Sequence, residues 1–224
     1  MEAAQARAFT DYNKAISLSP DFAAAYYGRG SWWQAHSNWD EAQADFTKVV
    51  RLRPDSVLLS KTFFHLGSLK LSQGETNASL KHFAEAYANR ALVEASHADR
   101  KNALADFTKA MVFNPVEGTY YCNRGLVKEK LADVEGALSD YNQIIRLDPA
   151  NASAYVNRGG VRVKENDLPG ALADFDKAIQ IDPNEANGYQ NRAILWKRLG
   201  DGEGSLADEA RAIELRTHQP RLKF

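Results

Sequence analysis

Residues 154–183 read AYVNRGGVRVKENDLPGALADFDKAIQIDP, and the spacing of their apolar residues decides the fold. Ala171, Phe175, Ala178 and Ile179 recur at three- and four-residue intervals. That is the period of a helix, not the two-residue alternation of a strand. Pro183 stops this helix, because proline lacks an amide donor and turns the residue before it away from helical geometry. Asp167 stands between two such segments, where a short acceptor side chain caps the free amides of a helix start. Pro169 suits the first turn, where no amide partner is needed. The stretch predicts two helices joined by a tight turn.

The same punctuation returns along the chain. Prolines 20, 54, 115, 149 and 183 each close an apolar ending, 34 residues apart except for one interval of 61. Gly30, Ala91, Gly125, Gly159 and Ala193 lie 24 positions before the proline or its expected place. Alanines 42, 103, 137 and 171 precede the proline by 12, and Phe46, Phe107, Tyr141 and Phe175 precede it by 8. A small residue lets two helices approach, and the aromatic wedges into the gap beside it. Asn38, Asp99, Asp133, Asp167 and Asp201 share one place in the repeat as N-caps. No segment carries a strand pattern. The fold class is all-α, built by stacking one helix pair on the next.

These segments, with an Asn-Arg-Gly or Asn-Arg-Ala triplet in the first helix of most copies, resemble the tetratricopeptide repeat in its bacterial form over nearly the whole chain. The resemblance implies an α-solenoid of antiparallel helix pairs whose first helices line a concave, peptide-binding face. It also implies a protein-interaction scaffold rather than an enzyme.

Two places depart from the pattern. Residues 1–20 match only a second helix, so the face bearing Ala8, Tyr12 and Ala15 lacks the partner that normally covers it. An uncovered apolar stripe favours self-association, and a homodimer through these residues is one expectation. Residues 57–83 supply 27 positions where 34 belong, and 76–96 contain no turn signal. Seven residues are about two helical turns, so helical phase is nearly kept. One continuous helix over 76–96 is expected as a joint, with a locally distorted but continuous superhelix as the alternative. It would separate an N-terminal lobe, 1–75, from a C-terminal lobe, 84–219, of four repeats (84–117, 118–151, 152–185, 186–219), followed by a tail at 220–224.

Carrying the family's groove positions onto this sequence puts Asn89, Asn123, Asn157 and Asn191 in one column. A side-chain amide offers one acceptor and two donors, so it can pair with a peptide bond whatever side chains the peptide bears. The same amides also suit bonds between neighbouring helices, and the sequence leaves both roles open. Arg90, Arg124, Arg158 and Arg192 suit ion pairs with second-helix aspartates such as Asp140, Asp174 and Asp208. Lys130, Lys164, Lys197 and Arg198 give the column a basic edge, partly offset by Glu129, that would favour an acidic segment or a free C-terminal carboxylate. Cys122 stands where the family's chaperone-tail clamp needs a lysine, so that specialised role is not expected. In the N-terminal lobe Tyr27, Gln34, Phe64 and His65 form a second inward surface, more aromatic and less charged. Trp32, Trp33 and Trp39 read mainly as packing residues.

The remaining features exclude more than they assign. A net charge of −1 gives no reason to invoke nucleic acid. The single cysteine rules out an internal disulfide framework. No run reaches the roughly 18 apolar residues of a membrane span, and Met1–Gln5 lacks a leader pattern. A cytoplasmic location is expected, although the chain reads as starting inside a repeat. The histidines at 36, 65, 82, 97 and 218 form no metal motif, and GDGEG at 200–204 lacks both the lysine and the preceding strand of a phosphate loop. No catalytic residue, cofactor or metal is expected. The reading is a non-catalytic adaptor that binds an extended peptide, with a self-assembling solenoid or a regulatory region of a larger protein as alternatives.

Overall fold

The computed structural model describes residues 2–218; the tail expected at 220–224 lies outside them. Twelve α-helices and no strand occur among the described residues: α1 (Glu2–Leu18), α2 (Ala23–Ala35), α3 (Trp39–Leu52), α4 (Ser56–Ser72), α5 (Thr76–Ser96), α6 (Arg100–Phe113), α7 (Gly118–Lys130), α8 (Val134–Leu147), α9 (Ala152–Lys164), α10 (Leu168–Ile181), α11 (Ala186–Leu199) and α12 (Gly202–His218). The fold is all-α and of α-solenoid type, as the repeat pattern requires.

Each turn within a repeat is closed by one device. Ser37, Ala98, Ala132, Asn166 and Gly200 all adopt positive φ, between 59° and 86°. The next residue's amide then donates to the carbonyl five residues back, as in Asp133 to Lys128 (2.9 Å), Asp167 to Arg162 (2.9 Å) and Asp201 to Trp196 (3.0 Å). This is a Schellman closure, which satisfies carbonyls at a helix C-terminus. The same aspartates cap the following helix, accepting from the amides of Gly136, Gly170 and Gly204 at 2.9–3.0 Å. One residue therefore ends one helix and starts another. Asn38 closes its turn but makes no side-chain cap.

Alanine in the left-handed region costs about 1–2 kcal/mol, partly offset by its lower unfolded-state entropy relative to glycine. Ala132→Gly is therefore expected to raise stability by about 0.5–1 kcal/mol, read as a higher urea midpoint at unchanged slope.

The wedge residues occupy their predicted places. Phe46, Phe107, Tyr141 and Phe175 are buried, and Phe46, Tyr141 and Phe175 lie against the glycine sixteen positions earlier. A Cβ added to Gly159 would lie 2.6 Å from Phe175 Cε1, and one on Gly125 would lie 2.9 Å from Tyr141 Cε1. Phe83 makes the same approach to Gly67. Eight residues beyond Phe83, where a proline ends the helix in other copies, stands Ala91.

Helix α5 therefore continues, beginning as a second helix and ending as a first one. The missing seven residues are the balance of two changes. From wedge to next small residue the regular copies take 18 residues; Phe46 to Gly67 takes 21, matching the longer α4, and Phe83 to Ala91 takes only 8.

The chain divides into two compact units, Met1–Glu117 and Gly118–Phe224. This differs from the lobes expected at 1–75 and 84–219. Helix α5 packs on both α4 and α6, so it belongs inside the first unit rather than standing between two. The second unit contains three complete pairs, α7–α8, α9–α10 and α11–α12.

Candidate functional site

Every helix pair except α4–α5, where Leu66 takes the arginine's place, contains an arginine clamp. Arg29, Arg90, Arg124, Arg158 and Arg192 bind, through two nitrogens each, both carboxylate oxygens of Asp45, Asp106, Asp140, Asp174 and Asp208, sixteen residues later. The aspartates are buried. A planar guanidinium matches a carboxylate in this fork geometry better than an ammonium can. Each guanidinium also lies 5.3–6.0 Å from the ring of the tyrosine three residues earlier, from Tyr26 to Tyr189. In three copies the third nitrogen reaches the preceding second helix, at Asn13, Asn142 and Asp176. The arginines that follow the asparagine column are thus structural clamps between two helices, and Arg158 and Arg192 join a third. Asp45, Asp106 and the tyrosines are absent from the sequence reading, although a constant spacing from the arginine, sixteen residues after it for the aspartates and three before it for the tyrosines, reveals them.

The asparagines themselves are less engaged. Asn123, Asn157 and Asn191 stand at equivalent positions of α7, α9 and α11, each partly exposed. Asn157 Nδ2 approaches Cys122 Sγ at 3.6 Å, while Asn123 and Asn191 make no side-chain hydrogen bond among the described residues. Burial raises the Cys122 pKa above its usual value, so the sulfur is held as a thiol. Asn89 belongs to the first unit and donates to Glu85 O of its own helix at 2.8 Å.

The basic edge is partly consumed within the chain. Lys164 Nζ lies 2.5 Å from Glu129 Oε2, and Tyr141 donates to the other oxygen of Glu129 at 2.6 Å. Arg198 donates to Val163 O and Asn166 Oδ1 across one repeat. Lys130 and Lys197 are exposed.

In the first unit Tyr27, Gln34 and His65 converge. Gln34 Oε1 can only accept, so His65 Nδ1 carries the proton and donates to it at 2.6 Å. Nε2 then accepts from the Tyr27 hydroxyl at 3.1 Å, and the imidazole stacks on Phe46. Burial lowers the His65 pKa, and His82 shifts the same way.

The unfolded chain takes up a proton on His65 near pH 6.5, while the folded chain resists it. Stability is therefore full above about pH 7 and falls as pH drops from there toward about 5. Urea denaturation at both pH values should show a smaller fall for His65→Leu than for wild type.

Phe64 points elsewhere, contacting Phe83 and Tyr87. On α1, Ala8, Tyr12 and Ala15 are half-buried, and the Tyr12 ring fills the space beside Gly28 of α2. Phe9 packs on Trp32 and Trp33 at 4.3 and 4.8 Å. No cluster of three metal-ligating side chains occurs among the described residues, and none of their helices is long and apolar enough to cross a membrane.

Stacked helix pairs with a repeated internal clamp define a helical repeat protein. Residues 122–186, within the second unit, match the Tetratricopeptide repeat family model. Among solved structures it is similar to MamA, residue 41 to the end, from Desulfovibrio magneticus RS-1, with 21% identity over 72% of this chain and 97% of that one, TM-score 0.55. It is also similar to a chain of the APC/C hetero-tetramer Cut9–Hcn1, with 12% identity over 96% of this chain and 44% of that one, TM-score 0.54. The first tetratricopeptide-repeat domain of Spaghetti (RPAP3), bound to the HSP90 peptide SRMEEVD, matches with 21% identity over 54% of this chain and 95% of that one, TM-score 0.50. At these identities the likeness concerns the fold. No curated protein matches the sequence.

Proposed function

We propose that the chain is a non-catalytic interaction scaffold, and that the first helices of the second unit hold an extended peptide of a partner protein. The observation that carries this reading is the unmet hydrogen-bonding capacity of Asn123 and Asn191, partly exposed and in register with Asn157. Purely structural asparagines would be expected to spend their amides on neighbouring helices, as the arginines spend their guanidinium groups. Amides left open in a row pair with peptide bonds, so the contact reads backbone more than side chains. Exposed Lys130 and Lys197 would add a mild preference for acidic segments, while Lys164 and Arg198 are held by partners within the chain.

The test starts from linear peptides selected by display on the whole chain. Asn123→Ala with Asn157→Ala should weaken them about tenfold or more, the scale of one or two lost hydrogen bonds, with little change in melting temperature. Backbone N-methylation of the peptide should cost as much. Undiminished binding by the double variant would remove the reading. Self-association through Ala8, Tyr12 and Ala15 is less well supported, because the Tyr12 ring is already engaged on α2.

A further inference from the structure

A cation stands beside the clamp in two copies of the second unit, and an acid takes its place in the first. Lys128 reaches Asp140 Oδ2 at 3.0 Å and the Gly136 carbonyl at 3.2 Å. Arg162, 34 residues later, reaches Asp174 Oδ2 at 2.9 Å and the Gly170 carbonyl at 3.1 Å. Each cation thus neutralises a buried aspartate and donates to the first turn of the next helix. The residue 34 positions before Lys128 is Glu94, and the carbonyl 34 positions before that of Gly136 belongs to Asn102. An ionised carboxylate has no proton to donate there, and it brings a second negative charge to the clamp of Asp106.

The surroundings compensate Glu94 only in part. Arg90, one turn back on α5, is committed to both oxygens of Asp106 and lies 3.9 Å from Glu94 Oε1. Lys109 of α6 stands 3.6 Å from Asp106. Asp99, at the cap of α6, adds a third carboxylate that acts on Glu94. Helix α4, which also packs on α5, brings no charged group to bear on it among the described residues. Glu94 Oε2 is buried and has no hydrogen-bond partner among the described residues. Burial, and after it Asp106, hold the Glu94 pKa above its ordinary value, with Arg90 opposing them.

We propose that Glu94 makes the packing of α5 against α6 proton-linked, tight when this carboxyl carries a proton and looser when it is ionised. A proton on Oε2, taken from solvent, removes one negative charge from the clamp. It also supplies an O–H donor, and donation is what Lys128 and Arg162 provide at this place. The folded chain binds this proton more tightly than the unfolded chain does. The stabilisation is therefore full below about pH 4.3 and is lost as pH rises through the folded value. His65, in the same unit, acts in the opposite sense, so variants compared at one pH isolate Glu94. The asparagine row lies in the other unit, and neither assignment depends on the other.

The test is native-state hydrogen exchange on the whole chain, comparing protection of α5 and α6 amides between variants at the same pH. At pH 7.5 Glu94→Gln should raise this protection about twofold or more, the scale of one like-charge contact removed. At pH 4 the gain should largely vanish, because the wild-type carboxyl then carries its proton. Glu94→Lys should raise protection about fivefold at pH 7.5, since it restores the ion pair of the other copies. Protection in α9 and α10 should change with neither. In the reverse exchange, Lys128→Glu should lower protection of α7 and α8 at pH 7.5, and less at pH 4. No gain for Glu94→Gln at pH 7.5, or an equal gain at both pH values, would overturn the proposal. So would reduced protection in Glu94→Lys, which would show that the place does not accept a cation. Glu94→Gln keeps the shape of the side chain, so the proposal stays falsifiable if Lys128→Glu misfolds.

Discussion

Phe175→Ala is expected to destabilise the second unit by about 3–5 kcal/mol, the usual cost of deleting a buried aromatic ring. Phe175 is 1% exposed and forms a cluster with Ala171 and Leu195, so its ring joins α10 to α11 as well as to α9. The loss should therefore appear as melting of α9–α12 together, read by circular dichroism and urea denaturation. A second substitution separates this account from general fragility. Gly159→Ala in the wild type places a methyl 2.6 Å from Phe175 Cε1, and should cost about 1 kcal/mol because the ring must shift. In the Phe175→Ala background the space is empty, and alanine's helix propensity should make the same change favourable by up to about 1 kcal/mol. A double-mutant cycle with no coupling would show that the small residue and the wedge do not act as a pair.

How far such a pair could be read in advance depends on whether its signal is local. Pro183, Asp167 and Phe175 act on their own helix or the next one, and each was legible from spacing. The continuous helix α5 was legible for the same reason, since a missing turn signal over 76–96 is a local fact. The unit boundary was not. It depends on how many neighbours each helix has, and α5 has two. A break in the repeat therefore looked like a joint when packing had absorbed it. The three residues gained before Gly67 were hidden by the larger deletion beyond it.

The functional surface was legible to a smaller degree. The asparagine column follows from spacing, but its hydrogen bonds do not. Asn89 turns to its own helix and Asn157 toward a sulfur, depending on which atoms the neighbouring turn presents. The basic edge is weaker in the fold than in the sequence, because sequence displays charge without its pairing and Lys164 is held by Glu129. Tyr27, Gln34 and His65 are expected on one surface and do meet, whereas adjacent Phe64 points into a different aromatic group. Neighbours on a helix are about 100° apart, so adjacency in sequence separates side chains more often than it joins them.

Arg192→Met should destabilise the last helix pair by about 3 kcal/mol, and Arg158→Met by only about 1, although both break the same clamp. The difference lies in what remains. Asp174 is held by Arg158 and also by Arg162 at 2.9 Å, so one cation survives the loss of the other. Trp196 stands where Arg162 stands one repeat earlier. Asp208 is therefore held by Arg192 alone among the described residues. Removing that arginine leaves a buried carboxylate uncompensated, and the folded state then holds its proton more tightly than the unfolded chain does. In the variant, stability should fall as pH rises from about 4 through the raised folded pKa, so the deficit against wild type is largest at neutral pH and shrinks below about 4. Urea denaturation at pH 7 and pH 4 measures this directly. Adding Asp208→Asn to Arg192→Met should recover part of the loss at pH 7 and little at pH 4, because only the charge has been removed. An equal deficit for Arg192→Met and Arg158→Met would mean that Arg162 does not share the load on Asp174. A pH-independent deficit would mean that the arginine acts by packing against Tyr189 rather than by neutralising the aspartate.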